Sequence, residues 1–314
     1  MPLSWLFGAI ARARRAFYRE GIFSSVKIAA PVIIVGNISV GGTGKTPLVI
    51  WIAQFLLQQG VRVALITRGY GGSAQDWPRE VSDGSDAGEV GDEAVLLSSR
   101  TGAMVVAGPD RVASARHAIE NGAQVIVSDD GLQHYRLCRD LEIAVVDGER
   151  RFGNGWLLPA GPLREPESRL QEVDLVAVTK RGCGTGARVG AREISVHHVI
   201  DEAICIVTGE RRALQSFIGS PAHAVAGIGN PEGFFALLRS RGLTIDTRAL
   251  PDHASITASD VAFGDDAVVL MTEKDAVKCA RFATSRHWAV RLEVRFDDAD
   301  AATLSRALKQ LVAS

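Results

Sequence analysis

Residues 31–47, PVIIVGNISVGGTGKTP, decide the fold of this 314-residue chain. Residues 31–35 are apolar and are followed by Gly36, which predicts a buried strand of a parallel sheet. A glycine-rich loop comes next, and residues 47–59 are then expected to form a helix that ends at Gly60. A strand, a glycine-rich turn and a helix in this order are typical of a phosphate-binding P-loop.

The loop SVGGTGKT has the Gly-Lys-Thr ending of a P-loop, although Ser39 stands where a first glycine is usual. Its backbone N–H groups and the positive end of the following helix dipole favour phosphate. Lys45 can reach the β- and γ-phosphates, and the Thr46 hydroxyl can bind Mg²⁺. The alternative is a strand–helix turn without a ligand. We expect the nucleotide to lie against Ser39, Val40, Gly41, Gly42, Thr43, Gly44, Lys45 and Thr46.

Two aspartates, Asp129 and Asp130, follow residues 125–128 (VIVS), which are predicted to form another strand. In open α/β sheets, ligands bind at the carboxyl ends of the parallel strands. We therefore expect Asp129 and Asp130 to complete a Mg²⁺ site with Thr46. The alternative is a solvated Asp-Asp-Gly turn.

Two absences narrow the class of P-loop protein and the nucleotide base that it would bind. Val40 occupies the position of the early lysine found in the KGGxGK loops of dimeric partitioning ATPases. Residues 178–180 resemble the start of a guanine-reading [NT]KxD motif, but Gly182 replaces its carboxylate. The sequence therefore favours adenine or a loosely recognised base.

Strands and helices alternate along the chain, which predicts a doubly wound, mostly parallel sheet of the α/β class. Residues 70–91 are rich in Gly, Asp and Ser and are expected to form a long surface loop. The other elements predicted in this half are strands at 61–67, 103–107, 124–128, 141–146 and 174–179 and helices at 92–100 and 110–121.

The composition changes at residues 182–190, where four of nine residues are glycine, so we place a linker there. A second unit should follow, with strands at 222–226 and 267–271. Its predicted helix, 231–241, begins with a proline after Asn230, which is a favourable N-cap.

The N-terminal residues 3–19 form an amphipathic pattern at the helical period. The apolar side consists of Leu3, Leu6, Phe7, Ile10, Ala13 and Phe17, and the opposite side carries Arg12, Arg15 and Arg19. Such a basic helix can lie in the headgroup region of an anionic membrane. The alternative is a terminal helix that docks on the core of its own protein.

Composition excludes several classes of function. The net charge is −1, which gives no basic excess for neutralising a nucleic-acid backbone. The four cysteines form no CxxC pair, so we expect reduced thiols and neither a disulfide framework nor a zinc site.

His197 and His198 are adjacent in a predicted strand and therefore point to opposite faces, which makes a poor metal pair. We also expect no membrane-spanning segment and no signal peptide.

A series of motifs runs in order over nearly the whole chain. They are VGN-x₃-GGTGKTP at 35–47, RGYGG at 68–72, VGDE at 90–93, DDGLQH at 129–134, GNGWLLPAGPLREP at 153–166, GIGNP at 227–231, PDH at 251–253 and TEKDAVK at 272–278. In these motifs the sequence resembles the tetraacyldisaccharide 4′-kinase (lipid A 4′-kinase) family. DDGLQH together with GPLREP makes the resemblance specific.

The resemblance implies an ATP- and Mg²⁺-dependent kinase that phosphorylates the 4′-hydroxyl of a tetraacylated glucosamine disaccharide 1-phosphate and gives lipid IVA. It implies a peripheral protein on the cytoplasmic face of the bacterial inner membrane, which strengthens the membrane role of the N-terminal helix. No nucleic acid and no obligate protein partner is expected. One rival hypothesis is a P-loop kinase or synthetase with a soluble substrate. Another is a nucleotide-switched metallochaperone, and the absence of CxxC cysteines weakens this second hypothesis.

The resemblance also implies two α/β units that are joined by a β-stranded hinge and enclose the active site. We divide the chain into a membrane-associated helix (1–20), a P-loop kinase domain (21–185), a hinge (186–212) and a second, smaller α/β domain (213–314). A return hinge strand is expected near 289–296.

By the same resemblance, Asp92 is the general base, and His253 from the second domain pairs with it. A histidine hydrogen-bonded to a carboxylate is held in one orientation and shares the incoming proton. On residues alone, Asp92 would be a helix cap and His253 a loop histidine. Weaker candidates for contacts to metal, phosphate or sugar are Arg68, Glu93, Arg111, His134 and Arg164.

Overall fold

The computed structural model describes residues 2–180, 192–252 and 254–313. The strands are β1 (Val32–Gly36), β2 (Val63–Thr67), β3 (Arg79–Val81), β4 (Met104–Ala107), β5 (Val125–Asp129), β6 (Leu141–Asp147), β7 (Leu175–Lys180), β8 (Glu193–Val199), β9 (Glu202–Cys205), β10 (Arg211–Ala213), β11 (Ala222–Ala226), β12 (Ile245–Ala249), β13 (Val268–Thr272), β14 (His287–Val290) and β15 (Glu293–Arg295). The α-helices are α1 (Pro2–Arg19), α2 (Lys45–Gln58), α3 (Ala87–Val90), α4 (Asp92–Thr101), α5 (Arg111–Glu120), α6 (Pro231–Ser240), α7 (Glu273–Cys279) and α8 (Asp298–Ala313).

The first sheet has the order β15-β8-β7-β6-β1-β5-β2-β4-β3, and only β15 and β3 are antiparallel to their neighbours. Its central strands are buried along their whole length because helices cover both faces. The predicted α/β class with a mostly parallel, doubly wound sheet is therefore confirmed. The strand order reverses at β1, which lies between β5 and β6, so the P-loop after β1 lies at a topological switch point.

The second sheet has the order β10-β9-β14-β13-β11-β12, and its four strands β14, β13, β11 and β12 are parallel. It has hydrophobic clusters of its own on each face, packed under α6 and α7. We call this sheet with α6 and α7 the second unit, and the first sheet with its helices the first unit. The cap predicted for α6 is present, since Oδ1 of Asn230 accepts the N–H of Gly233 and Pro231 is the first helical residue.

The two units are joined by the antiparallel pair β8 and β15, both of which belong to the first sheet. The C-terminal helix α8 also packs on the first sheet, because Leu304 and Leu308 are buried with Ile194 and Val196 of β8. The sequence placed a return strand near 289–296 and assigned the residues up to 314 to the second domain; in the structure β15 returns the chain to the first sheet, and α8 packs there.

Residues 70–91, expected to be a loop, contain the short edge strand β3 and the single-turn helix α3. Sequence periodicity misses both because three or four residues are too few to show a period. Cys138, Cys205 and Cys279 are free thiols, and Cys183 lies outside the described residues. Among the helices that the structure describes, none is long and apolar enough to cross a membrane.

Candidate active site

The P-loop is shaped by contacts on both of its sides. Gly44 has a φ of +79°, which favours glycine, and a Cβ there would overlap the ring of His198 from β8. On the other side, Nδ2 of Asn37, which directly follows β1, donates to Oγ1 of Thr43 at 3.1 Å. The helix α2 begins directly after Gly44, so its N-terminus adjoins the loop.

A cavity of about 830 Å³ opens in front of this loop and is called the P-loop cavity below. Residues 40–46 border it, which includes all of the predicted loop except Ser39. Of the remaining predicted residues, it is lined by Arg68, Glu93, Arg111, Asp130 and Arg164, and not by Asp92, Asp129 or His134. The second unit contributes Gly229, Asp252 and Lys274 to the same cavity.

Asp130 lies at the centre of the charged groups in this cavity. Lys45 Nζ is 3.4 Å from its Oδ1, and Arg164 Nη1 is 3.0 Å from its Oδ2. Burial by itself would raise the pKa of Asp130, but Lys45 and Arg164 outweigh burial and lower it. The carboxylate is therefore ionised and presented between two cations at the mouth of the P-loop.

Asp129 is in a different environment one residue earlier. Its side chain is buried, and within the described part of the chain nothing donates a hydrogen bond to its Oδ1. Burial, reinforced by the nearby charge of Glu93, raises the pKa of Asp129 to about 7. A buried, unpaired carboxylate oxygen beside the P-loop is a feature that a divalent cation would satisfy.

Mg²⁺ fits this donor set. It prefers hard oxygen ligands and is usually held by one or two carboxylates together with substrate phosphates. Thr46, Asp129 and Asp130 supply a hydroxyl and two carboxylates next to the phosphate-binding loop. Across the described residues there is no cluster of three or more His, Cys, Asp or Glu side chains that could hold a metal ion.

Arg111 is nearly inaccessible at the start of α5 and donates to the carbonyls of Asp129 (2.9 Å) and Gly108 (3.1 Å). Burial lowers its pKa to about 10, against the opposing charge of Asp129. Arg111 therefore fixes the backbone at the end of β5 through these hydrogen bonds and adds positive charge to the cavity. Arg68 lines the same cavity from an exposed position.

Asp92 begins α4 and is almost completely buried. Its Oδ1 accepts the N–H of Glu93 at 2.8 Å, and its Oδ2 lies 3.2 Å from Lys278 Nζ of the second unit. It borders a second cavity, of about 850 Å³, between the two units. The predicted partner His253 lies outside the described residues, but Ala254 borders this second cavity, so the pairing stays a prediction.

His134 lies behind the cavity rather than on its surface. Burial, followed by the positive charge of Arg111, lowers its pKa to about 4. Its backbone carbonyl accepts Nη2 of Arg139 at 2.6 Å, and the neighbouring Gln133 donates Nε2 to the carbonyl of Asn37 at 2.9 Å. A supporting role beneath the P-loop suits His134 better than direct contact with a ligand.

Comparison with known proteins identifies the family. Residues 1–313 match the family described as tetraacyldisaccharide-1-P 4′-kinase. The chain belongs to this family. A tetraacyldisaccharide 4′-kinase from Nitrosococcus oceani is 50% identical over 311 residues, covering 98% of this chain and 90% of that protein. One from Methylobacillus flagellatus is 47% identical over 315 residues, covering 99% and 92%. The LpxK kinase of Aquifex aeolicus, crystallised with ATP, superimposes with a TM-score of 0.83 at 26% identity, covering 99% of this chain and 98% of that one.

The structure of this 4′-kinase also brings residues into the site to which the sequence had assigned no role. Arg150 donates to the carbonyl of Gly42, and its Nε lies 3.1 Å from Oδ2 of Asp147 at the end of β6. Gly229, in the GIGNP turn, packs on the loop so closely that a Cβ there would lie 2.8 Å from the N of Gly42. The GIGNP motif could have indicated the second contact, but no local pattern indicates the first.

The N-terminal helix of the kinase docks through a narrow side of small residues. Ser4 and Gly8 are buried, and Oγ of Ser4 donates to the carbonyl of Leu157 at 2.7 Å. The large apolar side chains are left in solvent, where Leu3, Trp5, Leu6 and Ile10 are 67, 64, 57 and 59% exposed. Phe7, Ile10, Ala11 and Arg14 also line the P-loop cavity. The helix thus both docks on the protein and keeps an unpartnered apolar surface beside the site.

Proposed function

We propose that this kinase transfers the γ-phosphoryl group of ATP to the 4′-hydroxyl of a tetraacylated glucosamine disaccharide 1-phosphate, which gives lipid IVA. The observation that carries the proposal is a P-loop cavity that runs from Lys45 and Asp130 to the apolar residues of α1. One cavity therefore offers cations for phosphates and an apolar end for acyl chains. The match to the kinase family along residues 1–313 agrees with this.

The phosphate end is served by the backbone N–H groups of the P-loop, by Lys45 and by the N-terminus of α2. Phosphoryl transfer needs charge stabilisation and alignment more than covalent help. We assign Lys45 to the β- and γ-phosphate oxygens, and Arg164 and Arg111 to the surrounding positive field. Thr46, Asp129 and Asp130 would hold Mg²⁺, which neutralises charge on the phosphates when bound.

The acceptor end needs a base for the hydroxyl proton. Asp92 borders the second cavity, which adjoins the P-loop cavity because the two share lining residues such as Leu96. As the 4′-oxygen attacks the γ-phosphorus and the bond to the bridging oxygen of ADP breaks, the carboxylate of Asp92 accepts that proton. Lys278 at 3.2 Å and the N–H of Glu93 at 2.8 Å hold the carboxylate in place. His253 is assigned to orient the same group from the second unit. A base built from two units would act only when both are together, which limits wasteful hydrolysis of ATP.

A lipid acceptor with four acyl chains places the reaction at a bilayer surface. The exposed apolar residues of α1 and its arginines suit a peripheral attachment, which we assign to the cytoplasmic face of the bacterial inner membrane. The variant W5S/L6S should sediment with anionic vesicles much less than the unaltered protein. The variant V207S/I218S removes side chains that are 56 and 48% exposed elsewhere and should bind as before. Equal loss in both variants would contradict the assignment.

The activity itself is tested with γ-labelled ATP and detergent-solubilised tetraacyldisaccharide 1-phosphate. We expect label to move to the lipid, and we expect a de-acylated disaccharide to be a much poorer acceptor. Label that appears only on a soluble acceptor would refute the proposed substrate. Binding of Mg-ATP without transfer to any acceptor would refute the kinase mechanism.

A further inference from the structure

The TEKDAVK motif places a lysine of the second unit in the P-loop cavity. Lys274, in the first turn of α7, extends toward α4 of the first unit and is largely buried. Its Nζ lies 3.0 Å from Oε1 of Glu93 and 4.0 Å from Oδ1 of Asp92. Lys274 and Glu93 both line the cavity that holds Lys45 and Asp130. An ion pair between the two units is therefore part of the wall of the nucleotide site.

The position of Lys274 is determined by its neighbour Asp275. This aspartate has no solvent exposure, and its Oδ2 accepts the N–H of Gly227 at 3.0 Å and Oγ1–H of Thr272 at 2.6 Å. Gly227 begins the GIGNP turn, whose Gly229 packs against Gly42 of the P-loop. The start of α7, the GIGNP turn and the P-loop are thus in continuous contact.

The charges in the cavity explain what this ion pair does. Lys45 already lies 3.4 Å from Asp130, and Glu93 is a second acidic group that lines the same cavity as Lys45. Burial by itself would raise the pKa of Glu93, but the charge and hydrogen bond of Lys274 outweigh burial and lower it. Without Lys274, the partly buried carboxylate of Glu93 would have to find its compensating charge in Lys45.

We propose that Lys274 is a positioning residue that pairs with Glu93 and thereby leaves Lys45 to hold the phosphates of ATP. The inference rests on the proposed function for its ligand, Mg-ATP, but not for the acceptor. It gives the second unit a direct part in nucleotide binding. It also assigns a task to the TEKDAVK motif, for which the mechanism above uses only Lys278.

The first measurement is the Kd of Mg-ATP by titration calorimetry, which requires no lipid. K274M should weaken binding about tenfold, which corresponds to ~1.4 kcal/mol. K274R keeps the charge and should bind within about threefold of the unaltered protein. An unchanged Kd in K274M would overturn the proposal, and so would K274R binding no better than K274M.

The second measurement is a double-mutant cycle with Glu93, because removal of Glu93 also removes the competitor for Lys45. K274M/E93Q should bind Mg-ATP no more weakly than E93Q alone. If the double variant instead raises the Kd by the product of the two single factors, the proposal is overturned. The double variant leaves no unpaired buried charge, so the comparison with E93Q remains possible even if K274M alone does not fold.

A matched control separates positioning from simple packing between the units. Arg281, two residues after α7, and Asp86, at the N-cap of α3, form a second ion pair between the two units, and neither lines the P-loop cavity. R281M/D86N should leave the Kd of Mg-ATP within about twofold. If it weakens Mg-ATP as much as K274M does, Lys274 only holds the two units together and the proposal fails. If the unaltered protein binds Mg-ATP but labels no lipid, the proposed acceptor is wrong and the comparison of Kd values still stands.

Discussion

Lys45 Nζ lies 3.4 Å from Oδ1 of Asp130, so the P-loop lysine and the aspartate that follows β5 form an ion pair. The two meet because β1 and β5 are parallel neighbours, with Val35 opposite Asp129 in the register. Phosphate oxygens and the Asp130 carboxylate therefore share one cation. Mg²⁺ bound by Asp130 would relieve that competition.

Lys45→Ala should lower kcat by about three orders of magnitude or more, because charge stabilisation of the transferred phosphoryl group depends on such groups. Lys27→Ala is the control, since Lys27 is exposed and does not line the cavity, and the kcat of this variant should not change. The check is steady-state transfer of label from ATP to the lipid acceptor. Near-normal turnover in the Lys45 variant would remove it from the mechanism.

Asp92→Asn should lower kcat about 10²- to 10⁴-fold, the usual contribution of a general base. The Kd of Mg-ATP should stay within about threefold, because Asp92 borders the second cavity and not the P-loop cavity. Asp76→Asn, at an exposed position, is the control and should change neither kcat nor the Kd of Mg-ATP. If Asp92→Asn kept the full kcat, Asp92 would not be the general base.

Arg169→Met should destabilise the protein by about 3 kcal/mol, since it breaks a buried pair whose partner Glu142 lies 2.6 Å away. Glu142→Gln should cost at least as much, because Arg139, 2.8 Å from Glu142, then also loses its carboxylate partner and keeps only backbone carbonyl acceptors. The exposed pair Arg79–Glu89 is the control, and Arg79→Met should cost no more than about 1 kcal/mol. Urea unfolding measures all three, and equal costs for Arg169→Met and Arg79→Met would contradict the prediction.

His134 should make stability depend on pH below neutrality. Its pKa is lowered to about 4 in the folded state from 6.5, so the unfolded chain binds the proton more readily. Stability from this group is complete above pH 6.5 and is lost as the pH falls toward 4. Because the ring is partly solvent-exposed, we expect the unaltered protein to lose only about 1 kcal/mol more than His134→Gln between pH 7 and pH 5. Denaturant unfolding at the two pH values checks this, and parallel losses would contradict it.

Most of the first sheet could be read from short-range patterns, whereas β12, α7 and α8 were not predicted. The apolar runs of the central strands and the glycines after α2 and α5 predict the first sheet, because a strand buried on both faces must be continuously apolar. Sequence analysis also predicted Asn230 as the cap of α6, which depends only on the three following residues. The short elements β3 and α3 and the return of α8 to the first unit carried no such local signal.

By itself the sequence determined the P-loop and the place of Asp129 and Asp130 at the end of a neighbouring strand. Both follow from chain segments of a few residues and from the rule that parallel strands end at one edge. Only the tertiary structure decided which charges meet there, above all Lys274 with Glu93 and Lys278 with Asp92. These pairs join residues far apart in the chain, and a Coulomb interaction between them depends on distance and burial, which exist only once the two units have packed together.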